Sequence, residues 1–210
     1  MSHPDLAAPP DTRPIEPGEV WANPVTLERA VIIDVPWLND EGRAVADVTA
    51  LPGARVMGEH LHPALHESFS VKEGELTVVR DGQRSVLRAG ERADIGPGVW
   101  HDWWNEGDVD AIVRVEIRPG ERFIHMIETM FGLAREGHVN KRGMPNPLQL
   151  ALSATEFSDV IVFRKPPAAV QHAMFSALTP IARRRGYRAT YPTLSRTTLG
   201  GRPPRDAPTR

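Results

Sequence analysis

Between residues 20 and 117 the chain is divided into short apolar runs by closely spaced turn residues, and this pattern constrains the fold more than any other feature. The runs are rich in Val, Ile, Leu and Trp, and dipeptides such as Pro52-Gly53 and Asp81-Gly82 separate them. Short runs at this spacing are typical of the strands of a β-sandwich or barrel. The sequence therefore predicts a mainly β domain.

Two segments show this strand pattern most clearly. Residues 76–80 and 84–88 flank Asp81-Gly82, a pair that readily takes the positive φ values of a tight type I′ hairpin turn. Residues 109–117 alternate apolar and mostly charged side chains, which predicts a strand with one buried face. The residues of that face are Val109, Ala111, Val113, Val115 and Ile117.

After residue 120 the apolar spacing changes toward that of a helix. Residues 121–136 carry a stripe of Ile124, Ile127, Phe131 and Ala134, which predicts a first helix. Asn146-Pro147 predicts the start of a second helix that runs to about residue 155. A third, over about 168–185, aligns Val170, Met174, Ala177, Leu178 and Ile181, with Pro180 interrupting it. Residues 160–163 fit a strand and a helical continuation equally well.

The domain organisation follows from these shifts in composition. Residues 1–17 are Pro-rich and are predicted to be a disordered arm, and residues 191–210 a disordered tail. A barrel is expected over residues 18–120 and a helical extension over 121–190. That extension is expected to pack against the barrel or a second subunit.

Charge and composition exclude several classes of function. The net charge of −2 provides no basic field for nucleic acid, so no nucleic-acid partner is expected. The first twenty residues resemble neither a signal peptide nor a membrane span. Cysteine is absent, which excludes thiolate ligands and fits a reducing compartment, so a cytoplasmic location is expected.

Histidine and glutamate concentrate in one short stretch, residues 60–67. His60 and His62 are two residues apart, so on a strand their side chains leave the same face. Glu67 follows closely enough to add a carboxylate, and His101, after a glycine-rich turn, offers a third imidazole. Three nitrogens and one carboxylate suit a first-row divalent metal and leave coordination positions open for water, substrate or dioxygen.

With these residues in view, the chain resembles the cupin superfamily, specifically a single-domain, small-barrel (cupin 2-like) metal-binding member. The first cupin motif is matched by Gly53, His60, His62, Glu67 and Gly74, and the second by Gly90, Gly98, His101 and Asn105. Two departures affect turns: one extra residue separates Gly53 from His60, and Pro97 stands one place late. All four ligand positions are retained.

The resemblance implies a double-stranded β-helix (cupin jelly roll) over about residues 20–118, here with a C-terminal α-helical extension. It also places the metal ligands at His60, His62, Glu67 and His101. Fe(II) is the favoured ion, with Mn, Ni and Zn as alternatives, because this ligand set discriminates poorly among them.

Strand alternation around the predicted ligands indicates which side chains share their face. Phe69 and Val71 share the face of Glu67, and Trp103 and Asn105 that of His101, so these four are the predicted substrate pocket. Core packing explains Trp103 equally well. His66 points away from Glu67 and is kept as a second-shell or entrance residue. Trp100 and Trp104 would face outward, which favours a homodimer.

The predicted function is a metal-dependent cupin enzyme that acts on a small organic molecule, with a dioxygenase-type oxygenation as the leading reaction. Glu67 would hold the metal and could also serve as a catalytic base if it loosens from the metal. Two alternatives remain open: a metal-dependent isomerase, cyclase or lyase, and a small-molecule-binding cupin without turnover. His125, His138 and His172 lie outside both motifs and are expected to be ordinary helix or loop residues.

Overall fold

The computed structural model describes residues 14–56 and 58–191 of the 210. These residues form eleven β-strands and three α-helices. The strands are β1 (Val20–Asn23), β2 (Glu28–Asp34), β3 (Ala44–Ala50), β4 (His60–Leu61), β5 (His66–Glu73), β6 (Glu75–Arg80), β7 (Gln83–Arg88), β8 (Arg92–Ile95), β9 (His101–Trp104), β10 (Ala111–Arg118) and β11 (Val162–Phe163). The helices are α1 (Glu121–Arg135), α2 (Pro147–Glu156) and α3 (Ala168–Arg184).

The strands pair into two antiparallel sheets. One has six strands in the order β1-β2-β3-β10-β5-β8, and the other has five in the order β11-β4-β9-β6-β7. From β3 to β10 the chain passes repeatedly between the two sheets, as it does in a double-stranded β-helix. The predicted mainly β jelly roll is therefore confirmed, together with the helices at its C-terminal side.

The strand predictions are confirmed in their main features and corrected at one end. In the β6–β7 hairpin, Asp81 and Gly82 have φ values of 46° and 79°, as a type I′ turn requires. Ala111, Val113 and Ile117 of β10 are buried. Val109, however, precedes β10 and is 64% exposed, so its inclusion in the buried face was wrong. Alternation alone did not reveal where pairing begins.

The main core lies between the two sheets. Phe69 and Val71 of β5 and Val113 of β10 share one cluster with Leu76 and Val78 of β6. None of these five side chains is more than 3% exposed. Removing such apolar surface from water is the dominant favourable term in holding two sheets face to face.

Helix α1 covers a part of the six-stranded sheet. Ile124 and Phe131, from the predicted apolar stripe, pack in a second cluster with Trp21 of β1 and Ala30 of β2. Trp21 is fully buried there. The first helix of the extension therefore completes the hydrophobic core of the barrel.

The chain enters α1 at Gly120, where no space exists for a side chain. A Cβ at this position would lie 2.4 Å from the backbone nitrogen of Ala44, 2.7 Å from its Cβ and 3.0 Å from the carbonyl oxygen of Ile117. The φ of Gly120 is −99°, which any residue can adopt, so the requirement for glycine is steric. Close backbone contact between β3 and the start of α1 depends on it.

We expect Gly120→Ala to lower the free energy of unfolding by about 3 kcal/mol, because backbone atoms must move to admit the methyl group. Gly96→Ala is the matched control, since a Cβ there meets no atom within 4 Å. Its effect should stay within about 0.5 kcal/mol. Urea unfolding followed by circular dichroism measures both, and equal losses would contradict the close packing at Gly120.

The remaining helices follow the sequence closely at their ends. The side chain of Asn146 accepts hydrogen bonds from the backbone N–H groups of Leu148 and Gln149, both at 3.1 Å, and so caps α2 as predicted. In α3 the predicted stripe is not packed on the barrel: Val170, Met174 and Ile181 are 53%, 38% and 45% exposed. The undecided segment 160–163 contains β11, which pairs with β4.

Most of the predicted arm and tail, residues 1–13 and 192–210, lies outside the described residues. At the inner ends of those two segments, Ile15 is fully buried and Tyr191 is 5% exposed. Among the described helices, none combines the length and the apolar character that crossing a lipid bilayer requires.

Candidate metal centre

Both sheets contribute to the group of predicted ligands. His60 begins β4 and His101 begins β9, and the pairing of these strands sets the two residues opposite each other. His62 follows directly after β4, and Glu67 is the second residue of β5 in the other sheet. All four are at most 6% exposed. The double-sheet fold thus brings together residues up to 41 positions apart in sequence.

Each of the three imidazoles is oriented by a backbone carbonyl. The Nδ1 atom of His60 lies 2.9 Å from the carbonyl oxygen of Gly58. The Nδ1 atom of His62 lies 2.7 Å from the carbonyl oxygen of Val160, and that of His101 lies 3.0 Å from the carbonyl oxygen of Val99. A carbonyl oxygen can only accept, so each Nδ1 must carry the proton and donate it. In the neutral form of each ring, Nε2 is then left with a free lone pair, and this is the form of histidine that binds a metal.

The free atoms converge on one point. Glu67 Oε2 lies 2.9 Å from His101 Nε2 and 3.4 Å from His62 Nε2. These three atoms are buried and, among the described residues, make no hydrogen bond of acceptable geometry. Buried polar atoms without partners are costly and rare. A cation bound among them would remove that cost.

The spacing also fits a single ion. One ligand atom from each of His60, His62, Glu67 and His101 lies within 4.8 Å of the other three. Ligands held at about 2.1 Å from one ion are roughly 3 Å apart when they are adjacent. These four side chains therefore form a candidate site for a divalent metal.

The electrostatics of the group favour a bound cation. Burial, together with the charges of His101 and His62, lowers the pKa of His60 to about 3, so its imidazole is neutral. Burial alone would raise the pKa of Glu67, but the nearby imidazoles of His101 and His62 outweigh it and hold that pKa well below its usual range. Burial alone would lower the pKa of His101. The carboxylate of Glu67 outweighs the effect of burial and raises that pKa. The group thus contains one buried carboxylate and at least one neutral imidazole.

Part of the helical extension supports the site directly. The carbonyl that orients His62 belongs to Val160, 98 residues away. It is held there by the β11–β4 pairing and by Arg164, whose guanidinium forms an ion pair of 2.6 Å with Glu59. The same guanidinium lies 5.4 Å from the ring centroid of Trp100. Trp100, predicted to face a partner subunit, is therefore partly covered by the chain itself.

We expect Arg164→Ala to lower the affinity for a divalent metal about tenfold, because partners that orient metal ligands typically contribute that much or more. Arg88→Ala is the matched control, since it removes an exposed ion pair with Glu75 on the β6–β7 hairpin. Competition with a chelating dye measures both affinities. Unchanged affinity in Arg164→Ala would mean that the 160–164 segment does not position His62.

A large cavity opens beside the candidate site. Its volume is about 610 Å³, and it lies between the inner face of the six-stranded sheet and the helices α1, α2 and α3. His60 and Glu67 form part of its wall, so a metal held by them would face this space. Most of the other lining residues are apolar, among them Val115, Ile127, Met130, Phe157 and Phe175.

The predicted pocket residues divide into two pairs. Phe69 and Trp103 line the cavity. Val71 does not line the cavity, although it packs with Phe69 and Trp103 in the core between the sheets. Asn105 does not either: its Nδ2 donates to the carbonyls of Ala50 and Val109, both at 2.8 Å, which fixes a turn. Strand alternation gave the correct face for these residues but not their depth in the barrel.

His66 lies on the other side of β5 from Glu67, as alternation predicts. It is exposed and lines a separate, charged depression of about 160 Å³ on the barrel surface. It is not part of the wall of the large cavity. Glu67 lines both this depression and the large cavity, so the entrance role of His66 stays a prediction.

Two cavity residues escaped the sequence analysis. Glu28 stands on the same face of β2 as Ala30 and Ile32, and all three line the cavity. A charged residue in an apolar face was the signal that could have identified it. His172 of α3 also lines the cavity. It was expected to be an ordinary helix residue, and nothing in its local sequence distinguishes it.

A small double-sheet barrel with three histidines and one glutamate at its centre defines the class of this protein, and comparison with known families agrees. Residues 46–124 match the family model described as the cupin domain. This match covers β3 to the start of α1 and includes all four candidate ligands. Residues 46–124 of this chain are therefore similar to the cupin domain.

Solved structures similar to this chain are distant from it in sequence. A protein described as a predicted oxalate decarboxylase from Thermotoga maritima is 21% identical, with a TM-score of 0.41, over 43% of this chain and 78% of that one. KdgF from Halomonas sp. is 16% identical, with a TM-score of 0.42, over 50% of this chain and 89% of KdgF. A cupin-superfamily sugar phosphate isomerase from Silicibacter pomeroyi is 22% identical, with a TM-score of 0.38, over 44% and 60%. No curated protein sequence matches the chain.

Proposed function

We propose that this protein is a metal-dependent cupin enzyme that oxygenates a small organic molecule in a dioxygenase-type reaction. One observation carries the proposal: three Nε2 atoms and the Glu67 carboxylate converge at the wall of a large apolar cavity. A purely structural metal site has its coordination closed by protein ligands. Here two of the candidate ligands, His60 and Glu67, border a space of about 610 Å³ that can hold a substrate.

Fe(II) is the proposed ion, with Mn, Ni and Zn as alternatives. When bound, such an ion supplies Lewis acidity, and iron adds redox chemistry toward dioxygen. The nitrogen and carboxylate ligand set supports all four ions, and Fe(II) is favoured because oxygenation is the proposed reaction. The metal content of the purified protein tests this choice.

The chain's own residues would have three tasks. The carbonyls of Gly58, Val160 and Val99 fix the imidazoles in the tautomer that leaves Nε2 free. The apolar cavity wall would exclude water from the substrate. Glu67 borders both the site and the cavity. It is proposed to accept a proton from substrate when it loosens from the metal and moves away from the imidazoles that lower its pKa.

Oxygen consumption tests the reaction class. Protein reconstituted with Fe(II) should consume oxygen with apolar phenolic or dicarbonyl candidates and form no product without air. Equal turnover in the absence of air would replace the oxygenase with an isomerase, cyclase or lyase. If neither native nor reconstituted protein holds a stoichiometric divalent ion, the proposal of a metal enzyme is wrong. Ligand-induced stabilisation without product would indicate a binding protein.

We also propose a homodimer, supported by the exposed apolar side chains of α3, Val170, Met174 and Ile181. Apolar groups on one helix face are commonly covered by a partner. Light scattering after size exclusion should give twice the chain mass for the wild type and the chain mass for Met174→Glu. A monomeric wild type would contradict the dimer. The cytoplasmic location stays a prediction that rests on the absence of cysteine.

A further inference from the structure

Glu28 introduces a carboxyl group into an otherwise apolar part of the cavity. It is the first residue of β2, and alternation along this strand places it on the face of Ala30 and Ile32. These three side chains and Trp21 of the neighbouring strand line one region of the cavity. Glu28 belongs to neither cupin motif.

The position of Glu28 is remote from the candidate metal site. Three inter-strand spacings separate β2 from β5, the strand of Glu67, which amounts to roughly 14 Å across the sheet. The strands are also offset in register. Glu67 lies opposite Ile117, and Ile117 opposite Ala44, whereas Glu28 lies opposite Ala50. Glu28 and Glu67 therefore lie at opposite ends of the inner face of the sheet, both on the cavity.

In the described part of the chain, the side chain of Thr26 hydrogen-bonds to Glu28 and leaves the rest of the carboxyl group's hydrogen-bonding capacity available to a ligand. Among the described residues no basic side chain forms an ion pair with it. Burial raises the pKa of Glu28 to about 7, and Thr26 opposes this shift only in part. A carboxyl that served to stabilise the fold would be expected to have a cationic or strong hydrogen-bonding partner. A ligand in the cavity is the partner that the position of Glu28 allows.

We propose that the cavity takes an extended, predominantly apolar small molecule that carries a hydroxyl or amino group, and that this group hydrogen-bonds to Glu28 at the end remote from the metal site. The inference rests on the proposed function in that it names the substrate class of the same cavity. Apolar surface supplies most of the binding energy, and the Glu28 contact fixes which end of the molecule lies at the metal ligands.

Displacement of a neutral fluorescent probe tests the proposal. N-phenylnaphthylamine, bound in the cavity, is displaced by decanol, decylamine or decyl methyl ether, which share one chain length, below their aggregation concentrations. The ether cannot donate a hydrogen bond. At pH 9, where Glu28 is ionised and can only accept, the alcohol and the amine should bind at least about fivefold more tightly than the ether, as expected for one hydrogen bond worth about 1 kcal/mol.

Two variants at position 28 separate this contact from general hydrophobic binding. In Glu28→Leu the alcohol and the amine should no longer bind more tightly than the ether, and the affinity for the ether should equal that of the wild type. In Glu28→Gln the amide oxygen can still accept a hydrogen bond, so the preference for the alcohol should be preserved. The preference for the amine, a cation near neutral pH, should decrease because the carboxylate charge is gone. Equal binding of all three compounds to the wild type, or a preference that survives in Glu28→Leu, would overturn the proposal.

The same titrations in His101→Ala distinguish this inference from the proposed function. Probe binding needs no metal, so the fivefold preference should persist there. Failure of the wild type to hold a metal would overturn the metal enzyme and leave the preference intact. If the wild type held its metal but did not bind the probe, the proposed substrate class would be wrong, and the proposal of a metal enzyme would stand.

Discussion

Replacing His101 with alanine should lower the affinity for a divalent metal at least about 100-fold. His101 is fully buried, and its Nε2 is one of the unpaired atoms that face Glu67. Loss of a residue that merely orients a ligand costs about 10-fold to 100-fold, so loss of a ligand should cost at least the upper end. Titration against a competing chelator, with circular dichroism as a check of folding, gives the affinity.

His66→Ala is the matched control for that experiment. His66 is a histidine on the strand that carries Glu67, but it is exposed on the opposite side and lines a different depression. Its removal should change the metal affinity less than about twofold, since surface substitutions away from a site have little effect. If both variants lost affinity equally, the ligand set would include His66 and the assignment of His101 would be wrong.

The local part of the candidate site could be predicted from sequence because it depends on strand geometry. His60, His62 and Glu67 fall within eight residues, and alternation decides which of them share a face. His101 is different, since it reaches His60 only through the pairing of β4 with β9. Its place in the set depended on a second motif whose order matches a known family.

The depth of side chains in the barrel could not be predicted in the same way. Val71 and Asn105 lie on the predicted faces, yet one fills the core and the other fixes a turn. The alternating period of a strand gives the face of a residue and contains no information about its distance from the cavity. That distance depends on which strands and helices pack above it.

The contact by which the helical extension supports the candidate metal site could not be predicted from the sequence. The hydrogen bond from His62 to the carbonyl of Val160 joins residues 98 positions apart. Every residue has a backbone carbonyl, so the identity of residue 160 does not indicate that it accepts this bond. The helices themselves were predictable from their period and from the cap at Asn146. Their role as one wall of the cavity follows from tertiary packing, and only the structure reveals it.

The cavity predicts a second large effect, at Ala154 of α2. Ala154 is half-buried and lines the cavity, so the indole of Ala154→Trp would occupy space intended for a ligand. We expect the affinity for N-phenylnaphthylamine to fall at least about tenfold, because loss of about 1.4 kcal/mol of apolar contact already has that effect. Metal affinity should be unchanged, since Ala154 is not one of the four candidate ligands and its methyl group can form neither a hydrogen bond nor an ion pair with them.

Ala177→Trp provides the control, because Ala177 is exposed on α3 and is not part of the cavity wall. The same side chain added there should leave probe affinity at the wild-type value. Thermal unfolding of both variants checks that Ala154→Trp does not act through overpacking, which could cost about 1–3 kcal/mol. A folded Ala154→Trp that binds the probe as the wild type does would show that the space between α2 and the sheet is not where ligands bind, and the substrate class inferred from Glu28 would fail with it.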